Sequence, residues 1–185
     1  MTCFGLHLGF IYKEQTKMKL HIGGVTIKEG WKILNISEKP GVDFVGDISD
    51  LSMFEEDSFS EIYASHVFEH VTQASALDTL KGIRRILKPS GKFYVSVPDL
   101  DTLCHTFIDP NASFEVKFHV MRMMFGGQTD PHDFHFFGWN KQFLYEYLIA
   151  AGFTDAQQVE TFGLFNDTSD YKPYGYGISL NVIAW

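Results

Sequence analysis

Glu61-Ile-Tyr-Ala-Ser65-His-Val-Phe-Glu-His70-Val-Thr-Gln73-Ala-Ser-Ala-Leu-Asp-Thr-Leu80-Lys-Gly-Ile-Arg-Arg-Ile-Leu87-Lys-Pro-Ser-Gly-Lys92-Phe-Tyr-Val-Ser-Val97-Pro98 is the stretch that decides the fold. Glu61 to Ser65 reads as a short, mostly apolar strand. From Gln73 to Leu87 the residues Ala76, Leu77, Leu80, Ile83, Ile86 and Leu87 fall at helical spacing, and Lys88-Pro-Ser-Gly91 supplies a stop. Lys92 to Val97 is a second apolar run, closed by Pro98. A strand, a helix of about four turns and a strand make a βαβ unit, whose crossover is right-handed and whose strands lie parallel and adjacent.

Upstream, three more apolar runs alternate with turn signals, as in a parallel sheet covered on both faces. Lys19 to Gly23 enters a Gly-Gly turn, Lys32 to Ile36 is closed by Pro40-Gly41, and Val42 to Val45 ends at Gly46-Asp47. Downstream, helices are expected over Asp99 to Phe107 and Phe114 to Phe125. A loop rich in Gly, His and Asp then runs from Gly126 to Gly138. Asn140 to Ala151 reads as a capped helix ending at Gly152, and two closing strands, Ala156 to Phe162 and Ile178 to Trp185, suggest a hairpin. No internal repeat or low-complexity tract divides the chain.

The 185 residues, 45% of them hydrophobic, suffice for one sizeable core. A net charge of -8 and an isoelectric point near 5.4 argue against nucleic acid and membrane surfaces as partners. The 15 Lys and Arg residues are dispersed; the densest group, Arg84, Arg85 and Lys88, fits a helix end. Two cysteines, Cys3 and Cys104, make neither a disulfide scaffold nor a paired-ligand motif, so a cytoplasmic location is expected. Met1 to Tyr12 is apolar but lacks a basic leader and is too short to span a bilayer. A homodimer is compatible with all of this.

Three segments in this order, Pro40-Gly-Val-Asp-Phe-Val-Gly-Asp47, Asp57 to His70 and Ile86 to Pro98, resemble the class I S-adenosylmethionine-dependent methyltransferases, especially a short bacterial branch. The resemblance covers roughly Met18 to Trp185. It implies a Rossmann-like α/β fold: a mostly parallel twisted sheet, helices on both faces and a C-terminal antiparallel hairpin. It also implies one domain over residues 1–185, with an extension (1–17), a cofactor-binding half (18–98), substrate-covering helices and loop (99–152) and closing strands (153–185). S-adenosylmethionine is the implied cofactor. Ligands of such sheets bind beyond the carboxyl ends of the strands where strand order reverses. The matching cofactor-binding positions are Gly23, Gly24, Asn35, Asp47 with its neighbour Ile48, Ser65 and His66.

The chain departs from the family pattern in two places. Ile22-Gly-Gly-Val-Thr26 lacks one of three spaced glycines, and the acidic residue expected at the end of the second strand is Asn35, for which Glu38 could substitute. About nine residues separate Gly23 from Ile33, fewer than the dozen a crossover helix needs, so that helix must be vestigial.

Methyl transfer to a hydroxyl asks for alignment and a proton acceptor, and eight histidines are available. His70 follows the fourth strand, where Glu69 and His70 could equally brace the next helix. His132, Asp133 and His135 lie in the loop that covers the substrate in the family. His135 is the leading candidate base, with Asp133 as its orienting carboxylate. The spacing fits no strong metal signature, and no metal site is assigned. The expected function is methyl transfer to a small-molecule or saccharide-like acceptor. A catalytically inactive binding module and, more weakly, a metal-dependent hydrolase built on His132 to His135 are the alternatives.

Overall fold

The computed structural model describes residues 18–185, so the expectation of an extension over 1–17 lies outside the described residues. Among the described residues seven strands form one sheet: β1 (Lys19–Ile22), β2 (Trp31–Asn35), β3 (Phe44–Val45), β4 (Phe59–Ser65), β5 (Leu87–Pro98), β6 (Ala156–Val159) and β7 (Ser179–Ala184). Their order is β3-β2-β1-β4-β5-β7-β6. The first five are parallel, and β7 runs antiparallel to both β5 and β6. The chain moves outward from β1 to β3 and then returns to β4 on the other side of β1. The strand order therefore reverses between β1 and β4, which is where an open parallel sheet forms a ligand crevice.

The alternation of side chains divides the sheet into two faces. Leu20, Ile22, Ile62, Ala64, Phe93 and Val95 belong to the main core, together with Ala76, Leu80 and Ile83 of α1 (Gln73–Ile86). Leu144 and Leu148 join them from the last helix, which spans Lys141–Ala150. α1 begins where Thr72 caps it by accepting from the Ser75 amide. It ends on Arg84 and Arg85, which suit the negative end of the helix. Arg85 also donates to the carbonyls of Leu51 and Phe54, fastening the segment before β4. The expected stop at Lys88 to Gly91 is a bulge inside β5, because the register passes from Phe59↔Leu87 directly to Glu61↔Lys92.

On the opposite face Trp31, Tyr63 and Phe165 form a second buried cluster, with Phe162 and Leu164 packed against it. Here the cover comes from the long segment joining β6 to β7. β6 ends at Val159, short of the expected Phe162, because Phe162 turns in to meet the Tyr63 ring at 5.6 Å. Polar bonds hold the segment down: the Tyr63 hydroxyl donates to Asp167 at 2.8 Å, and Ser65 donates to the other Asp167 oxygen at 3.3 Å. Burial opposes ionisation of Asp167, but bonds from Ser169 and Tyr63 outweigh it and hold the carboxyl below its usual range. The two remaining helices, α2 (Leu100–Ile108) and α3 (Phe114–Phe125), share a smaller cluster of Leu103, Val120 and Ile178; α4 is Lys141–Ala150. Among the described residues no helix is long and apolar enough to cross a membrane.

His21 sits inside the aromatic cluster, 4.1 Å from Phe165 and 5.0 Å from Tyr63 between ring centres, with Nδ1 unpartnered. Burial lowers its pKa to about 4, against the opposing pull of Asp167. The unfolded chain takes up that proton more readily, so the stability is complete above the ordinary value near 6.5 and drains away as pH falls toward 4. We expect His21 alone to cost about 2 kcal/mol between pH 7 and pH 5. Urea unfolding of His21→Phe at the two pH values should show most of that loss removed; an unchanged loss would contradict the assignment.

Candidate active site

The carboxyl ends of β1, β2, β3 and β4 open into one crevice of about 800 Å³, within the usual range for small-molecule sites. Gly23, Asn35, Asp47, Ile48 and His66 all line it. Gly23 has φ +76°, and a Cβ there would meet Val67 Cγ2 at 2.5 Å, so both conformation and space require glycine. Its amide donates to the Leu34 carbonyl at 2.8 Å. Gly24 lies behind the wall, with its backbone against the His21 ring.

Asn35 explains how a loop without a helix keeps its shape. Its amide group donates to the Gly23 and Gly24 carbonyls at 3.2 and 3.0 Å, while its carbonyl accepts from the Ser37 amide. The side chain is thus committed to the loop, and Ser37 and Lys39 stand beside it on the crevice wall. Glu38 is exposed and does not line the crevice. One Asp47 oxygen closes a turn with the Ser49 amide and hydroxyl. Ile48 and Leu34 add apolar surface. Ser65 turns away from the crevice toward Asp167, and the strand's contribution passes to the next residue, His66, at φ +53°.

Beyond His66, a 3-10 turn over Phe68–His70 buries Glu69 to 1% exposure. This turn, and not the cap of α1, is where Glu69 acts. Its main-chain carbonyl accepts the amides of Phe136 and Phe137 at 2.7 and 3.3 Å, which brings the Gly126–Gly138 loop onto the turn. Its carboxylate lies 3.2 Å from His66 Nδ1, and the ligand-type atoms of Glu69, His70 and His135 lie within 4.8 Å of one another. Burial opposes ionisation of Glu69, but the imidazoles of His66, His70 and His135 outweigh it and hold the carboxyl below its usual range. Burial also pushes His135 below the ordinary histidine value, against the pull of Glu69.

The sequence-predicted trio in the loop separates. His135 faces His70, with ring centres 4.8 Å apart, and its Nδ1 donates to the Met123 carbonyl at 2.9 Å. Asp133 does not orient it: that carboxylate accepts from the Thr129 amide and hydroxyl, which hold its pKa down. Asp133 and His132 line the crevice, together with Asp130 and Phe136. Sequence reasoning missed Glu69 as the centre of the group. The available signal was an acid framed by His66, Val67, Phe68, His70 and Val71, where a solvent-facing acid would be out of place.

The pattern of the family described as "Methyltransferase domain" matches residues 9–95. Among curated proteins, none matches the chain by sequence. A chain from the complex between the Haloferax volcanii Trm112 methyltransferase activator and its proposed methyltransferase superposes with a TM-score of 0.52 at 16% identity, covering 91% of this chain and 82% of that one. The Burkholderia thailandensis 1,6-didemethyltoxoflavin-N1-methyltransferase, solved with 1,6-didemethyltoxoflavin and S-adenosylhomocysteine, gives 0.54 at 18% identity, covering 90% and 69%. The trans-methyltransferase CalH with S-adenosylhomocysteine gives 0.54 at 16% identity; the alignment covers 92% of this chain but about half of CalH, 51%. At these identities the likeness is one of fold. Taken with the β3-β2-β1-β4-β5-β7-β6 sheet, it gives this chain the Rossmann-like fold of these methyltransferases.

Proposed function

We propose that the chain methylates an oxygen of a small-molecule or saccharide-like acceptor, with S-adenosylmethionine in the crevice at the β1–β4 switch point. The observation that carries this reading is the two-sided lining of that crevice. Gly23, Leu34, Asp47 and Ile48 form one wall, and His70, backed by Glu69 and His135, forms part of the other.

The residues suit such a cofactor. Gly23 lets backbone approach a ligand, and Leu34 and Ile48 offer an apolar bed for a purine. The free Asp47 oxygen is an acceptor for an amino group. Asn35 is engaged by the loop, so in this reading the ribose hydroxyls turn to Ser37 and Lys39. Asp47, Asp130 and Asp133 give the crevice a negative lining that favours a sulfonium cation. Bound there, the cofactor would supply a methyl group that leaves sulfur for the acceptor oxygen, one C–S bond breaking and one O–C bond forming as the acceptor proton departs. The chain's own work is to align the acceptor, exclude water with the loop around Phe136 and lower the cost of that proton's departure. We assign the last task to Glu69, His70 and His135 acting as a unit, in place of the Asp133–His135 pair.

Calorimetry with S-adenosylhomocysteine should give micromolar binding to the wild-type chain. Gly23→Ala, which forces a strained φ and a clash with Val67, should weaken it by about tenfold or more. Absence of heat at millimolar ligand would overturn the reading. Transfer of a radiolabelled methyl group can be followed with a panel of catechols, glycosides and hydroxy acids. There Glu69→Gln should slow transfer by about 100-fold, while S-adenosylhomocysteine affinity stays within about threefold. Equal loss of affinity and rate would place Glu69 with the cofactor instead.

A further inference from the structure

We propose that Glu69, His70 and His135 form a site for a first-row divalent transition-metal ion, opening on the crevice through His70, and that an acceptor oxygen completes the coordination. The acceptor half of this statement rests on the function proposed above; the metal half does not.

The donor atoms are already prepared for such an ion. A carbonyl can only accept, so His70 Nδ1 must donate to Phe134 O at 3.0 Å, and His135 Nδ1 to Met123 O at 2.9 Å. Both rings therefore present Nε2 lone pairs. A backbone carbonyl fixing the far nitrogen is the usual support for a metal-bound imidazole. Glu69 is 1% exposed, and beyond His66 Nδ1, 3.2 Å from Oε1, neither of its carboxylate oxygens has a hydrogen-bond partner. Buried carboxylates are seldom left so without a positive charge to face.

His66 adds to this. Ser179 spends its own hydrogen on the Thr168 carbonyl, so His66 Nε2 donates to Ser179 at 2.9 Å. Its Nδ1 lies 3.2 Å from Glu69 Oε1. A proton on Nδ1 would satisfy one oxygen, whereas an ion satisfies Glu69 and both other imidazoles together.

Two imidazoles and a carboxylate select zinc, cobalt, manganese or iron over magnesium and calcium, which prefer oxygen donors. A tetrahedral ion with ligands near 2.1 Å spaces its donor atoms about 3.4 Å apart. The present span of up to 4.8 Å closes with a shift of about an ångström, which the partly exposed His70 can make. The remaining coordination positions would receive an acceptor oxygen and lower its pKa, as metal ions do for bound water. That explains how a group whose imidazoles are both pinned through Nδ1 can still ease the loss of an acceptor proton. It also names the acceptor class, molecules bearing a hydroxyl or a vicinal pair of oxygens.

The test uses the full chain, stripped with a chelator and titrated with Co²⁺ under visible absorption and with Zn²⁺ under calorimetry. One ion per chain is expected, with the d–d bands of an imidazole-bound Co²⁺. Glu69→Gln and His135→Asn should each weaken binding by about 100-fold, whereas His105→Asn, an exposed position of α2, should bind as the wild type does. Circular dichroism and S-adenosylhomocysteine affinity report whether each variant is folded. A folded wild type that takes up no ion at millimolar Co²⁺ would overturn the proposal and leave a proton as the partner of Glu69. Equal binding by wild type, Glu69→Gln and His135→Asn would overturn it as well. Ion binding without S-adenosylhomocysteine binding would sink the proposed function and leave the metal site standing; the reverse result would do the opposite.

Discussion

Burial of Glu69 is the constraint on which the working half of the molecule depends. Its main-chain carbonyl takes two amides from the Gly126–Gly138 loop, and its carboxylate draws imidazoles from His66, at the end of β4, from His70 in its own turn and from His135 in that loop. One residue therefore joins the end of β4, on one wall of the crevice, to the Gly126–Gly138 loop on the other. Taking a carboxylate out of water is costly. The cost is tolerable here only because positive charge or hydrogen-bond donors can gather around it, so the group is held together by the penalty that would follow its dispersal.

The first strand-to-strand connection shows how the fold manages without a helix that its topology normally supplies. Asn35 spends its amide on the Gly23 and Gly24 carbonyls, doing by side-chain bonds what a helix would do by packing. The exposed sheet face is covered from the other end of the chain, by Phe162, Leu164 and Phe165 against Trp31 and Tyr63. Asp167 fastens this cover through Tyr63 and Ser65. The arrangement uses up Asn35 and Ser65, two strand-end residues that the family pattern would leave to the ligand, and moves the available polar groups one or two positions along, to Ser37 and His66.

What was legible in the sequence follows from which forces are local. The βαβ unit from Glu61 to Pro98 was readable because hydrophobic periodicity and stop signals act within a few residues, and α1 begins and ends at most one residue from its expected limits. The convergence of Gly23, Asn35, Asp47 and Ile48 was readable because a parallel sheet sends all its strand ends to one edge. The bulge at Lys88 to Gly91 was not, since a Pro-Ser-Gly run signals a turn whether or not the strand resumes around it. The union of Glu69 with His135 was hidden for a different reason. It joins positions far apart in the chain through the Phe136 and Phe137 amides, and no local pattern announces which of three loop residues will turn inward. His135 was singled out and does reach the group, but its expected partner Asp133 is held by Thr129.

The central claim is that one crevice holds the methyl donor against Gly23, Asp47 and Ile48 and faces its reactive end toward Glu69, His70 and His135. Crystallography of the chain grown with S-adenosylhomocysteine tests it most directly. The account predicts adenine density beside Asp47 and Ile48, with the thioether sulfur directed at His70. Density for the ligand on another surface, or with its sulfur pointing away from the Glu69 turn, would contradict it.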